Sequence, residues 1–507
     1  MKKTKITIAI FSALTASSAL ATNGMNMEGY GAISAAMGGT AQAYNNGLGG
    51  MMNNPATMGM GSKAGNKLQL GLGELNPTIS SEHKQANLKT DSSGSFIMPG
   101  LGYATKSNGF TWGVGVLAQG GMGTDYAKAD LTGANKDLFA FGNSMTNTGN
   151  QNPANMTTLS GETIRSEVAV GRFIVPLVFE INDQFTVGGS IDYVWGGMDL
   201  QMDMDGATFG KLMQDNGGSV GGSMANSLGQ SFGNGAGTNT GPLNDVNWAR
   251  FDFSDDSNFT QATKGAGFAG KLGALFKINK HWTLGASYHL KTAMSDFEGD
   301  ASMSMNVNVD PAKFQGSSST YSNQTIDLKG KIKIKDFQWP EMMAVGATWR
   351  PNDKWMVSAD VKQINWSAVM KEFSMSFKAD PAASQVGLAQ GFGGQVLDVT
   401  MDQNWKDQTV VMLGGQFMAT KNLALRAGYN YASNPVPKED LNPLFPATIE
   451  THYTAGLGWT MVPGQKIDVA LTVAPEVSVT SPANGITTNH SQFNWQLLYT
   501  YAWGIKK

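Results

Sequence analysis

The chain has 507 residues, a formal net charge of −3, 63 glycines and no cysteine. The small charge, without a basic block, argues against nucleic acid as a partner, and the lack of cysteine excludes disulfides and thiol chemistry. Beyond the first twenty or so residues no apolar run reaches the roughly 18 residues that a spanning helix needs, so a helical membrane architecture is disfavoured.

Residues 1–21 have the pattern of a secretory signal peptide. Three lysines precede an apolar stretch, which ends in the small-residue motif Ala19-Leu20-Ala21. We therefore predict an exported protein whose mature chain begins at Thr22.

Residues 22–65 are rich in Gly, Ala, Met and Asn and lack sustained alternation, which predicts a small N-terminal hatch, or plug. Pro55 cannot donate a backbone hydrogen bond and restricts Asn54 to extended conformations, so the two residues suit a defined bend. A plain structural turn is the alternative. We expect the bend and its neighbours to line a path and to shift when a ligand arrives; these residues are Asn54, Pro55, Ala56, Met51, Met52 and Met58.

From about Leu68 to Trp503, segments in which every second residue is apolar are joined alternately by tight turns and long polar loops. A period of two places apolar and polar residues on opposite faces of a strand, and a polar inner face fits a hydrated lumen. We predict a fourteen-stranded antiparallel transmembrane β-barrel over residues 66–507, closed so that every backbone group is paired. The long loops, about 119–165 and 204–262, lie opposite the short turns and the termini. Four large rings near the short turns predict an aromatic girdle at that interface: Phe185, Trp282, Trp355 and Trp503.

Glycines cluster around the end of the third predicted strand, at Gly113, Gly115, Gly120 and Gly121. Missing side chains permit a bulge or kink, so a defect in the barrel wall is one interpretation. Ordinary glycines at a junction between strand and loop are the other.

Apolar residues punctuate the polar sequence of the 204–262 loop: Phe209, Leu212, Met213, Met224, Leu228 and Phe232. Flexible methionine side chains adapt to varied apolar ligands, so these residues are candidates for ligand capture. The alternative is that they pack the loop onto the barrel.

Strand parity directs five basic residues into the lumen: Arg172, Lys271, His289, Lys291 and Arg426. Parity directs Asp192, Asp360 and Asp468 inward as well, so a network of wall ion pairs is the simpler interpretation. A cation left without an acidic partner would be the better candidate for binding a ligand carboxylate.

Four blocks of residues, in order along the chain, resemble the FadL/TodX-type family of outer-membrane transporters for hydrophobic compounds. They are Asn54-Pro55-Ala56, Val175-Pro176-Leu177 with Ile181-Asn182-Asp183, Trp339-Pro340-Glu341 through Trp366-Ser367, and Gly428-Tyr429 with Pro435-Val436-Pro437. The resemblance implies a fourteen-stranded barrel, a hatch in its lumen, ligand capture by extracellular loops and lateral exit through the wall. The chain departs from the family pattern in ending at Lys506-Lys507 rather than at an aromatic residue, and in a 204–262 loop unusually rich in Gly, Asn and Met.

These features predict passive transport of hydrophobic small molecules across the outer membrane of a Gram-negative cell. We expect long-chain fatty acids as cargo, with monoaromatic hydrocarbons as the alternative; a general porin and a barrel lipid hydrolase are the rivals. The five histidines lie in different segments, without a nucleophile motif or metal-ligand spacing, so we expect no catalytic residue, cofactor or metal. The expected partners are the ligand, membrane lipid and lipopolysaccharide, and we expect a monomer.

Overall fold

The computed structural model describes residues 23–61, 64–129, 137–140, 158–212, 218–232, 243–257, 260–309 and 322–506. The predicted signal peptide, residues 1–21, lies outside this part of the chain. No helix among the described residues has the length and apolar content needed to cross a membrane.

The described residues form 22 strands in one sheet. In chain order these are β1 Ala64–His83, β2 Leu88–Ser93, β3 Phe96–Ser107, β4 Phe110–Tyr126, β5 Ile164–Glu180, β6 Phe185–Asp205, β7 Gly218–Gly221, β8 Leu243–Phe253, β9 Thr263–Lys277, β10 Trp282–His289, β11 Ala293–Met294, β12 Phe297–Val309, β13 Ser322–Lys335, β14 Met342–Trp349, β15 Trp355–Ile364, β16 Glu372–Ala379, β17 Val396–Asp402, β18 Gln408–Met418, β19 Leu423–Ala432, β20 Thr451–Val462, β21 Gln465–Thr480 and β22 Thr487–Lys506. The α-helices are α1 Ala32–Ala35, α2 Gly206–Leu212 and α3 Gly222–Phe232.

Antiparallel pairing closes a barrel. The ring runs through β1, β3, β4, β5, β6, β9, β10, β14, β15, β18, β19, β20, β21 and β22, and the last strand pairs with the first, with Leu68 opposite Tyr501. The alternation along β1 separates the two faces as the sequence predicts, because Leu70 is 48% exposed whereas Gln69 is buried. The exposed apolar face is the one that meets lipid.

The prediction of fourteen strands for the whole chain was too low, because segments assigned to loops and strand ends form strands of their own. β8 pairs with the C-terminal end of β6, from Leu200 to Asp205. From β8 the pairing continues through β12, β13, β16, β17 and β7, which together extend the sheet beyond the ring. The stretches 282–309 and 355–379 are each divided between a ring strand and this extension. We call the extension the extracellular sheet, since it lies at the end opposite the short turns.

The extracellular sheet has one buried apolar face and one exposed polar face. Met303, Met305 and Phe377 are almost fully buried, whereas Lys331 and Asp300 pair on the exposed face. Helices α2 and α3 contribute buried residues to the same apolar cluster. The 204–262 segment is therefore a folded part of the extracellular region rather than a plain loop.

Residues 23–61, which we call the N-terminal segment, lie inside the ring. The Gly38 amide donates to Thr454 Oγ1 on β20 at 2.9 Å, and Gln496 on β22 donates to the Gly29 carbonyl at 3.2 Å. On the opposite wall, Asp360 of β15 accepts from the Ala41 amide at 2.6 Å. These contacts reach several sides of the lumen, and β1 then begins at Ala64. That residues 22–65 act as a separate movable unit stays a prediction.

Candidate functional site

A small apolar cavity of about 20 Å³ lies between the start of the N-terminal segment and the extracellular region. We call it the upper pocket. Its lining residues are Met25, Met122, Val168, Met198, Phe337, Met370, Phe373, Met401, Gln403, Asn442 and Phe445. None of these side chains is charged, and the five methionines give the lining an adaptable shape.

The sequence analysis did not single out these residues, because they come from eight separate segments. One signal was available: Met25 lies within the predicted hatch, and Met122 follows the glycine cluster directly. The Phe and Met residues of β16 and β17 were hidden in stretches assigned to strand ends and loops.

Three tryptophans form a cluster that contacts the N-terminal segment. The ring centroid of Trp366 lies 5.8 Å from that of Trp339 and 5.3 Å from that of Trp405, and both ring pairs have edge-to-face geometry. Trp339 Nε1 donates to Asn26 Oδ1 at 2.8 Å, and a methyl group at Gly24 would lie 2.6 Å from the Trp366 ring. The first residues of the segment are thus held tightly against rigid rings.

The same residues contact an irregularity in the barrel wall. The register of β4 against β5 shifts between Ala118 and Gly120, which is a β-bulge at Gln119. Asn26 forms a β-bridge with Gly120. A methyl group at Gly120 would lie 2.2 Å from the Met25 carbonyl oxygen, so the close approach requires glycine.

Beside this bulge, β4 has no partner strand among the described residues on the side where β3 and β2 lie, which leaves a gap in the hydrogen-bond ladder of the wall. The last pair between β3 and β4 is Gly100 with Leu117, and β2 meets β4 only at Ser92 with Tyr126. A cavity of about 60 Å³ lies against this part of the wall, and its lining includes Tyr30 of the N-terminal segment. We call it the lateral cavity.

The four predicted glycines therefore divide into two groups. Gly120 and Gly121 lie at the bulge, whereas Gly113 and Gly115 lie nearer the N-terminal end of β4, where it pairs with β3. A methyl group at Gly115 would lie 2.6 Å from Met51 Sδ, so the lower glycines accommodate the N-terminal segment rather than a gap.

The Asn-Pro-Ala bend is seated on the wall in the same manner. Asn54 caps a 3₁₀ turn over Pro55–Gly59 by accepting from the Ala56 amide at 3.1 Å. Its Nδ2 donates to Gln42 within the segment at 2.9 Å and to the Ala274 carbonyl on β9 at 3.4 Å. The neighbouring residues Met51, Met52 and Met58 are all buried.

The predicted lumen charges are mostly paired with one another. Asp192 binds Arg172 at 2.7 Å and also binds Lys271, and Asp468 binds Arg426 at 2.8 Å. Arg172 also donates through Nε to the side chain of Gln119, the bulge residue. This pairing agrees with the simpler of the two interpretations, a network of wall ion pairs.

Two other predicted charges have different surroundings. His289 is buried and donates from Nε2 to the Asn53 carbonyl at 2.9 Å. The placement of Lys291 in the lumen was wrong, because β10 ends at His289 and the Lys291 side chain is exposed. Sequence reasoning missed Lys362, which is buried in the lumen.

The predicted capture residues are interior rather than displayed to solvent. Phe209 and Leu212 of α2 and Met224 and Leu228 of α3 are buried in the apolar cluster beneath the extracellular sheet. Met213 lies outside the described residues. Phe232 is the last residue of α3, and its side chain also lies outside the described part of the structure. Among the described residues no group of three or more His, Asp or Glu could hold a metal ion.

The profile of the outer membrane protein transport protein family (OMPP1/FadL/TodX) matches residues 132–497, which is well over half of the chain. The chain belongs to this family. Its members are outer-membrane transporters of hydrophobic compounds, and the closed antiparallel barrel agrees with that location. The resemblance noted in the sequence is thus confirmed.

Solved structures of similar fold include two toluene transporters. The Pseudomonas putida toluene transporter TodX is 26% identical, with a TM-score of 0.73 over 94% of this chain and 99% of that chain. The Ralstonia pickettii toluene transporter TbuX is also 26% identical, with a TM-score of 0.68 over 94% and 98% of the two chains.

One curated sequence relative comes from Chlorobium limicola, described as an uncharacterized protein in the phosphoenolpyruvate carboxykinase gene 5′ region. It is 44% identical over 84 residues, which are 17% of this chain. The matched part spans only 41% of that relative's length.

Proposed function

We propose that this protein carries small hydrophobic molecules passively through the outer membrane, by capture in the extracellular region, movement of the N-terminal segment and lateral exit through the wall of the barrel. One observation carries the proposal. Met25 lines the upper pocket, its carbonyl oxygen packs closely against Gly120 of the wall bulge, and its neighbour Asn26 forms the bridge to Gly120. A ligand that displaces Met25 would therefore disturb the wall beside the lateral cavity.

An uncharged monoaromatic hydrocarbon is the cargo that the upper pocket favours. Its lining is apolar apart from two amides, and no cation stands in it to meet a carboxylate. The 26% identity to two toluene transporters supports the same cargo. This reverses the preference for long-chain fatty acids that the sequence alone suggested.

A long-chain fatty acid is the second candidate, and charge near the N-terminal segment favours it. Arg172 and Lys271 share the single carboxylate of Asp192, and Lys362 stands nearby without an ion pair among the described residues. A ligand that carried one negative charge would give Lys362 a direct partner, since Asp360 and Glu28 act on it only through space.

Uptake by cells that lack their own transporter for these compounds tests the proposal. Labelled toluene and labelled palmitate should each be compared between cells with this protein and cells with an empty vector. Faster uptake of either supports the function and identifies the cargo. Uptake of neither, or large steady single-channel currents typical of an open porin, would contradict it.

A lipid hydrolase is tested separately. The purified barrel should release no fatty acid from phospholipid micelles, because we assign it no nucleophile. Release that persists in the pure protein would overturn the assignment as a transporter only.

A further inference from the structure

A second cavity, distinct from the upper pocket, lies between the N-terminal segment and the wall formed by β10, β14 and β15. We call it the polar chamber. Its lining includes Tyr30, Gln42 and Asn53 from the segment and Ser287, His289 and Lys362 from the wall. Its volume is about 10 Å³, which is room for about one group the size of a water molecule.

Three polar side chains in the chamber have no partner, although each is more than nine-tenths buried. Ser287 is 7% exposed and Gln42 is 3% exposed, and the Ser287 Oγ and Gln42 Oε1 atoms make no hydrogen bond. Lys362 is 8% exposed and forms no ion pair or hydrogen bond within the described part of the chain. Buried polar groups in proteins are normally satisfied, so their convergence indicates an occupant.

The nearby acids do not neutralise Lys362 directly. Asp360 and Glu28 act on it through space, without a hydrogen bond. Asp360 Oδ2 accepts from the backbone amides of Ala41 at 2.6 Å and Gln42 at 2.9 Å, and Asp360 Oδ1 is buried without a hydrogen-bond partner among the described residues. An ammonium group buried without a partner is costly, which favours an added negative charge.

The wider electrostatic environment points the same way. The field at His289 includes positive contributions from Lys271, Arg172 and Lys362. Because Asp192 serves both Arg172 and Lys271, that group retains one positive charge in excess. An anion in the polar chamber would therefore meet a favourable field on the His289 side, whereas Asp360 and Glu28 offset part of the field at Lys362.

We propose that the polar chamber binds one small monoanionic group, held by Lys362 Nζ and Ser287 Oγ. Rotation of the Gln42 amide by 180° would add a third donor, since its oxygen and nitrogen have nearly the same shape. The anion would join the N-terminal segment to the wall, because its donors come from both.

Two sources can supply this chemistry. A halide from the medium is the smaller source; it is larger than the one water-sized group that the chamber holds, so the lining side chains must shift slightly to admit it. The carboxylate of a hydrophobic acid needs the N-terminal segment to move, and this second source rests on the proposed function. Tyr30 lines both the polar chamber and the lateral cavity, so a carboxylate held at Lys362 would lie beside the exit.

Bromide binding to the purified barrel tests the site itself. Crystals soaked in sodium bromide should show an anomalous peak within hydrogen-bond reach of Lys362 Nζ and Ser287 Oγ. In solution, Lys362→Met should weaken bromide binding about tenfold or more, because a charge-assisted hydrogen bond is lost. Lys291→Met is the matched control and should bind bromide as the wild type does, since Lys291 is exposed.

Lys362→Arg keeps the charge and should retain the anion, and heat-resistant gel mobility shows whether each variant is a folded barrel. No anomalous peak in the wild type, or a peak of equal strength in Lys362→Met, would overturn the proposal.

The second source is tested by comparing decanoate with decanol. If cargo supplies the anion, decanoate should displace bromide and enter cells more slowly through Lys362→Met, whereas decanol uptake should not change. If decanoate displaces no bromide, the halide alone is the ligand. Failure of the wild type to transport either compound would contradict the cargo as a source of the anion and leave the bromide result standing; the proposed function is tested separately by toluene and palmitate uptake.

Discussion

Tyr30 Oη donates a hydrogen bond of 2.8 Å to the backbone carbonyl of Gln119. The donor belongs to the N-terminal segment, and the acceptor is the bulge residue of the barrel wall. The same hydroxyl lies 3.2 Å from Asn26 Oδ1, which also binds Trp339. Tyr30 therefore joins the beginning of the N-terminal segment, the wall bulge and the tryptophan cluster in one network.

Replacing this hydroxyl should loosen the bulge without unfolding the barrel. Tyr30→Phe removes one buried hydrogen bond, worth about 1 kcal/mol net, so open states of the bulge should become about fivefold more populated. Hydrogen exchange of the amides of residues 118–122 measures this change. Tyr44→Phe is the control, because Tyr44 Oη donates to the Thr40 carbonyl within the segment; equal effects in both variants would contradict a specific role for Tyr30.

A side chain at the bulge glycine should block transport while the barrel still assembles. A Cβ at Gly120 would lie 2.2 Å from the Met25 carbonyl oxygen, and its φ of +156° is unfavourable for other residues. Gly120→Val should therefore displace the N-terminal segment and reduce uptake about tenfold or more, since a misplaced gating element disrupts the exit path.

Gly415→Val is the matched control for that substitution, because a methyl group there meets nothing within 4 Å. Both variants should show the heat-resistant gel mobility of a folded barrel. Normal uptake by Gly120→Val would separate the bulge from transport.

Filling the upper pocket should weaken ligand binding. Val168→Phe adds a ring to a cavity of about 20 Å³, so the ligand and the new side chain compete for the same space. We expect affinity for toluene to fall about tenfold or more in a fluorescence or calorimetric titration. Val386→Phe, at a side chain that is 85% exposed, should leave affinity unchanged.

The period of two in the sequence was enough to predict the two faces of the wall, as Gln69 and Leu70 illustrate. The same period also marked the extracellular sheet, since Met303 and Met305 alternate with serine, but periodicity does not distinguish a membrane strand from a strand above it. Parity placed Arg172 in the lumen and failed at Lys291, because it holds only while the strand continues.

The candidate site was harder to predict, because it depends on contacts between distant segments. The bulge at Gln119 is fixed by Tyr30 and Met25, which are about ninety residues away in sequence. Lys362 shares the strand parity of Asp360 and was nevertheless missed, and only the folded chain shows that no carboxylate among the described residues forms an ion pair with it. Sequence patterns therefore located the elements and left the pairing of buried groups undetermined.

The extracellular end of β6 should be sensitive to pH through Asp199. The spanning part of a tilted strand takes about 9–11 residues, so a span that starts at Phe185 ends near Trp195 and leaves Asp199 outside the membrane. Asp199 is fully buried and accepts from the Ala262 amide at 2.6 Å. Burial raises the pKa of the Asp199 carboxyl to about 7, despite the lowering effect of that hydrogen bond.

A carboxyl whose pKa is raised by folding binds a proton more tightly in the folded state. The contribution of Asp199 to the free energy of unfolding is largest below about pH 4, near the pKa that an aspartate has in the unfolded chain. This contribution is lost as the pH rises through about 7, the pKa of the folded state. Local unfolding around residues 254–257 and 260–262 should therefore increase from pH 5 to pH 8, as seen in hydrogen exchange corrected for the intrinsic rate. Asp199→Asn keeps a carbonyl acceptor for the Ala262 amide and should flatten this dependence, whereas Asp256→Asn, at an exposed position, should leave it intact. An equal pH dependence in wild type and Asp199→Asn would assign the proton to another group, and burial raises the pKa of the neighbouring Glu167 in the same direction.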